Sequence, residues 1–263
     1  MLPALFLSHG APTFPLTDAP ARHFLERLGT DLPERPRAIL VISAHWETAA
    51  PSVTTSAVNE TIHDFSGFPA ELYAIRYPAP GSTWLVDDVA SLIEAAGGTV
   101  ARVPGRGLDH GAWVPIRLVY PEADIPVVQL SVQTARGPDY HYRLGQLLAP
   151  LREEGVLIVG SGSFTHDLSS FREYYHALNA PAPAWVDQFA DWMTAAIDEG
   201  RIDDLLAYRD RAPQAKRNHP TEEHLLPLFV ALGAGGGGRS EHLHASTTHG
   251  ILRMDAFAFG VAA

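Results

Sequence analysis

Ile39-Leu40-Val41-Ile42-Ser43-Ala44-His45-Trp46 opens on four apolar residues in a row, three of them β-branched, and runs into a histidine. A short apolar run without alternation is what a strand buried on both faces requires, as in a parallel sheet. The same pattern recurs at Leu5-Phe6-Leu7-Ser8-His9-Gly10 and at Leu157-Ile158-Val159-Gly160-Ser161-Gly162-Ser163-Phe164-Thr165-His166. Residues 4–7, 38–42 and 156–159 are therefore read as buried strands, joined by 52–55, 99–103 and 126–132. Residues 251–259 alternate more and suit an edge or antiparallel strand. Amphipathic stretches lie between the strands. They are 18–28 capped by Asp18, 84–96 capped by Ser82 or Thr83, 138–153, 184–199, and 221–232 with Thr221 as N-cap. Strands alternating with helices imply an α/β fold with a mostly parallel, twisted central sheet flanked by helices. Neither the glycine run 235–238 nor the proline-rich 180–184 separates two foldable pieces, so residues 1–263 are expected to form a single domain.

Composition narrows the function. Hydrophobic residues are 46% and charged residues 19%, the balance of a globular protein rather than a disordered or membrane-spanning one. The apolar run at 2–7 stops at Ser8, too short for a leader core or a bilayer span. The net charge of −11 argues against nucleic acid as a partner, and nothing points to a membrane. The absence of cysteine removes disulfides, thiolate metal sites and thiol nucleophiles, and favours a cytoplasmic setting.

Thirteen histidines remain, and their placement carries the chemistry. His9, His45 and His166 each follow a buried strand. In open α/β sheets ligands bind beyond the carboxyl ends of the strands, so these three side chains can meet there. Any one alone reads as a polar residue ending a strand; three together point to a shared site. His110 and His224 fall at expected helix starts; His224 would point from the first turn, and for His110 the alternative to function is simple capping or surface polarity. His63 lies in an aromatic loop with Phe65 and Phe68, suited to a flat ligand or to simple packing. His242, His244 and His249 make a compact cluster, read as a solvated edge because no buried strand leads into it. His219 reads equally as a cap. His23, His141 and His176 are read as lying on polar faces.

The chain resembles the class III extradiol ring-cleavage dioxygenases, and among them the 4,5-DOPA dioxygenase group. The resemblance is carried in order along nearly the whole chain. It runs through Leu5-Phe6-Leu7-Ser8-His9-Gly10-Ala11-Pro12, Val41-Ile42-Ser43-Ala44-His45-Trp46, Thr61-Ile62-His63-Asp64-Phe65-Ser66-Gly67-Phe68-Pro69 and Tyr77-Pro78-Ala79-Pro80-Gly81. It continues through Leu108-Asp109-His110-Gly111-Ala112-Trp113, Asp124-Ile125-Pro126-Val127-Val128-Gln129-Leu130-Ser131 and Pro220-Thr221-Glu222-Glu223-His224. It implies an enzyme that opens catechol-type aromatic rings with O2, with L-DOPA cleaved at the 4,5 bond as one candidate reaction. It implies one divalent metal ion on His9, His45 and His224 at the carboxyl edge of the strands, Fe(II) for dioxygenase activity, with Zn(II) also suited to three histidines. His166 falls at the acid/base position, with additional metal contact open to it, and His110 at a position that steadies developing negative charge. His63, Phe65 and Trp46 are expected around the ring. Asp167 stands where the group often has Asn, a charge expected to raise the pKa of His166. The alternatives are a zinc-dependent hydrolase and a non-catalytic metal-binding relative.

Overall fold

Strands in the computed structural model, which describes residues 1–174 and 177–261, are β1 (Ala4–Ser8), β2 (Ala38–Glu47), β3 (Ser52–Thr54), β4 (Ala101–Val103), β5 (Val127–Val132), β6 (Val156–Gly162), β7 (Arg239–His244), β8 (Thr247–Thr248), β9 (Leu252–Arg253) and β10 (Ala256–Val261). Among the described residues eight of them form one sheet in the order β4-β3-β5-β2-β6-β1-β10-β7, and β8 and β9 form a small ribbon. The centre is parallel: β5 pairs with β2, β2 with β6 and β6 with β1, in registers such as Leu40↔Val128, Leu40↔Ile158 and Leu5↔Val159. Antiparallel strands flank it, β10 against β1 with Phe6↔Phe257, and β3 against β5.

The apolar runs follow from this position. Leu40, Ile42, Val128 and Ile158 are buried with Leu144, Leu148 and Val230, which belong to helices Gly137–Leu148 and Leu226–Ala234. Ile39, Val41, Leu157 and Val159 are buried with Leu25, Leu28, Trp113 and Ile116, from helices Pro20–Asp31 and His110–Val119. Successive strand residues thus serve opposite cores. Every residue of Leu226–Ala234 is buried, which its all-round apolar sequence demands. The Ser82 side chain accepts from Leu85 N–H to cap helix Thr83–Ala95, as expected. No described helix is long and apolar enough to cross a membrane.

Three local expectations are corrected. Residues 251–259 are two strands, because the chain bends at Met254-Asp255 to bury Asp255 against Arg253 and His242. Asp18 does not cap: helix Pro20–Asp31 starts after Ala19, and Asp18 engages His23 Nε2 at 2.7 Å. Thr221 does not cap either. Its hydroxyl donates to Glu223 Oε1, and the helix begins at Leu226, leaving His224 in the preceding turn.

Candidate active site

Three strand ends and two loops converge beyond the parallel core. His9 leaves β1 with its N–H on Gly162 O at 3.0 Å, and Gly10, at φ +68 in a conformation that favours glycine, leads into Ala11 and Pro12 along the pocket lining. His45 lies near the end of β2. His224 is brought in from far along the chain because Ser163 N–H donates to its carbonyl at 2.9 Å. That approach needs glycine at 162, since a Cβ there would collide with the His224 carbonyl oxygen. His110 opens helix His110–Val119, whose first turn is capped by the buried Asp109 carboxylate.

The imidazoles meet at Nε2. His45 Nε2 stands 3.1 Å from His9 Nε2 and 3.3 Å from His224 Nε2, and His9, His45 and His224 each offer a nitrogen within 4.8 Å of the others. The opposite nitrogens fix the proton positions. Ser161 Oγ donates to Gly111 O, so it accepts from His9 Nδ1–H at 3.1 Å. Glu223 Oε1 accepts from His224 Nδ1–H at 3.0 Å. A neutral ring carries one N–H, so His9 and His224 both turn lone pairs toward His45. Burial, and then the neighbouring histidines, push His9 and His224 well below the ordinary histidine pKa. Burial and His110 bring His45 down to about 4. Three neutral imidazoles aiming lone pairs at one point cannot satisfy one another with protons; a dication at that point satisfies all of them, so the residues fit a metal.

His166 follows β6 and stacks on the His224 ring, with centroids 3.4 Å apart and planes 12° from parallel. Burial, then His219, lowers its pKa to about 3. The expected upward push from Asp167 does not arise. That carboxylate is taken by the Ser169 N–H and by the hydroxyls of Ser169 and Ser170. His110 lies beside His45, 3.9 Å between ring centroids. Asp64 accepts the His110 backbone N–H at 2.9 Å and places its other oxygen 3.0 Å from His110 Nδ1, off the N–H axis, and 3.7 Å from His45 Nδ1. Burial alone would raise the Asp64 pKa, but the contacts with His110 prevail and hold it at about 2.

These groups line a cavity of about 300 Å³. His9, His45, His110, His166 and His224 form one wall; Pro12, Phe68, Leu168 and Leu252 form an apolar one. Three expected ring neighbours are displaced. Trp46, next to His45 on a strand, faces the other way and is covered by the Arg106 guanidinium at 4.5 Å. His63 Nε2 bonds Ile75 O at 3.2 Å and its ring packs on Trp113. Phe65 backs His110, centroids 5.7 Å apart, and it is Phe68 from the same loop that reaches the cavity. His219 is a buried core residue bonded to Phe164 O, its pKa lowered to about 4 mainly by burial. His176 lies outside the described residues. Sequence reading missed Ser161, Glu223 and Asp64, the residues that face the Nδ1 atoms. The Gly/Ser turn at 160–163 and the two glutamates before His224 were the available signals.

The catalytic LigB subunit of aromatic ring-opening dioxygenase matches residues 3–254 of this chain. The chain belongs to that family. As a LigB-family enzyme it is a metal-dependent extradiol dioxygenase that opens aromatic rings with O2. It is similar to the 4,5-DOPA dioxygenase extradiol of Beta vulgaris, 45% identical over 258 residues and covering 97% of this chain and 95% of that one. The protein of the same name from Escherichia coli K12 is 40% identical over 239 residues, covering 90% and 86%. A crystal structure of an uncharacterized protein from Escherichia coli K12 superposes with a TM-score of 0.81 at 34% identity, covering 99% of this chain and 100% of that one. The fold and the enzyme class thus agree with the expectation from sequence.

Proposed function

We propose that residues 1–263 act as one catalytic domain that cleaves catechols beside the diol, with one Fe(II) held by His9, His45 and His224 and with L-DOPA as the first substrate to test. The observation that supports this most is the convergence of three Nε2 atoms at 3.1 and 3.3 Å with the Nδ1 protons of His9 and His224 already committed. Fe(II), when bound, supplies the electron transfer and Lewis acidity that ring opening by O2 needs. Zn(II) suits the same three ligands but has no accessible redox step.

The chain's own residues do the rest. Pro12, Phe68 and Leu168 offer a flat apolar wall to the ring, which turns the diol edge toward the imidazoles. Fixing ring and oxygen in one small cavity removes much of the orientation cost of a two-reactant step. His166 is neutral, the form that accepts a proton from a substrate hydroxyl and returns it later. His110, which lines the same cavity beside His45, steadies negative charge as it develops on oxygen. Its backbone is held by Asp64 and by the Asp109 cap on the same helix.

The test is oxygen uptake by apo-protein reloaded anaerobically with Fe(II), offered L-DOPA, protocatechuate and plain catechol in turn. Uptake with a yellow ring-opened product is the expected result and ranks the substrates. No uptake with any of the three, in protein shown to carry iron, overturns the reading.

A further inference from the structure

One carboxylate touches two of the clustered histidines. Asp64 sits in the loop between β3 and the short helix Ala70–Ala74, not on one of the strands that deliver the imidazoles. Its Oδ1 accepts the backbone N–H of His110 at 2.9 Å, which anchors the first residue of the helix. Its Oδ2 stands between His110 Nδ1 at 3.0 Å and His45 Nδ1 at 3.7 Å, and the Asp64 side chain is only 24% exposed. His9 has Ser161 behind its Nδ1 and His224 has Glu223. The carboxylate facing the Nδ1 of His45 is Asp64, at 3.7 Å and so in ion-pair rather than hydrogen-bond range, and the same oxygen also faces His110.

We propose that Asp64 is a positioning residue that aims His45 Nε2 at the metal and holds His110 against the substrate, coupling the two. The charge is what the arrangement requires. A carboxylate accepts from every donor that faces it, so one group can orient two rings and a backbone N–H at once. An amide of the same shape has one accepting oxygen and would present N–H to one imidazole, favouring the wrong tautomer there. Second contacts of this kind change metal affinity by ~10–100-fold when removed. The ligand roles of His9, His45 and His224 rest on the reading above, so the test does not depend on ring cleavage.

The experiment uses the full chain stripped of metal and titrated with Co²⁺ against a chromophoric chelator, with the visible Co²⁺ bands recorded. Asp64→Asn is compared with the unaltered protein, and both again in a His110→Ala background. The expected result is Co²⁺ still bound at one ion per chain by Asp64→Asn, ~10-fold or more weaker, with shifted bands. The weakening persists in the His110→Ala background, because part of it acts through His45. With substrate, Asp64→Asn lowers kcat more than it changes KM, and Asp64→Glu restores part of both losses. Unchanged affinity and bands in Asp64→Asn overturn the proposal, and so does complete loss of binding at saturating Co²⁺, which would make Asp64 itself a ligand. If no catechol is turned over by any form, the Co²⁺ measurements still decide the role of Asp64 while the functional reading fails separately.

Discussion

His9, His45 and His224 lie 36 and 179 positions apart and meet; His242 and His244 lie two apart and do not. Both groups use strands, but differently. The first three sit at or just past the ends of strands or in a turn docked on one, so the parallel core aims them at one point. His242 and His244 lie along β7, an edge strand, where each ring finds its own neighbour. His242 stacks on Phe257 with centroids 4.4 Å apart and gives Nε2 to Asp255. His244 stacks on Phe24 and meets Ser246 Oγ at 2.8 Å. Proximity in sequence places side chains on one face; convergence of lone pairs requires separate elements ending together.

The sharpest break of this contrast is metal retention. Replacing His9, His45 or His224 with Ala is expected to take metal from one ion per chain toward none, whereas His242→Ala and His244→Ala keep it. Metal analysis after gel filtration checks both halves, and retention in all three of the first set would erase the distinction. Next in size, His166→Ala is expected to keep metal and lose ~10²–10⁴-fold in kcat, the usual weight of a proton-transfer group. A near-normal rate would remove His166 from the chemistry.

Histidines that belong to neither group set the baseline. His141 is fully buried on helix Gly137–Leu148, its Nδ1–H donating to Gly137 O and its Nε2 accepting Gln133 N–H. Burial holds its pKa down at about 4. On acidification the unfolded chain takes up this proton first, so the native state loses stability as pH falls from about 6.5 to about 4 and regains it as pH rises. The full span is on the order of 3 kcal/mol. Urea melts at pH 7 and pH 5 should show the loss, and His141→Gln should flatten it. Smaller still, Gly162→Ala forces β6 away from the His224 carbonyl and should cost ~1–3 kcal/mol together with some metal affinity. His242→Ala should cost ~1 kcal/mol by leaving Asp255 short of a partner, with metal affinity unmoved. A calorimetric scan beside a metal titration separates these two.

The parallel core was legible because a strand buried on both faces must be apolar throughout, as at 38–42 and 156–159. Gathering of the histidines followed from where such strands end. What escaped the sequence was set by distant partners. The helix after His224 starts late because Ser163, on another element, claims that turn. The bend at Asp255 exists to meet His242 and Arg253. Ser161, Glu223 and Asp64 are common polar residues whose importance lies only in what faces them. His141 was the avoidable error: with Leu144 and Leu148 it repeats at helical spacing, and that stripe is the buried one.

The place of β1 in the sheet also sets an order of events at the ribosome. β1 is synthesised well before either of its neighbours, β6 and β10, yet it pairs with both. His9 therefore waits, unpositioned, until residue 162 supplies its backbone partner and residue 224 supplies the third imidazole. A nascent or truncated chain ending before His224 carries two of the three rings and no finished cradle. With the three ligands proposed above, metal capture would wait until nearly all of the polypeptide has emerged.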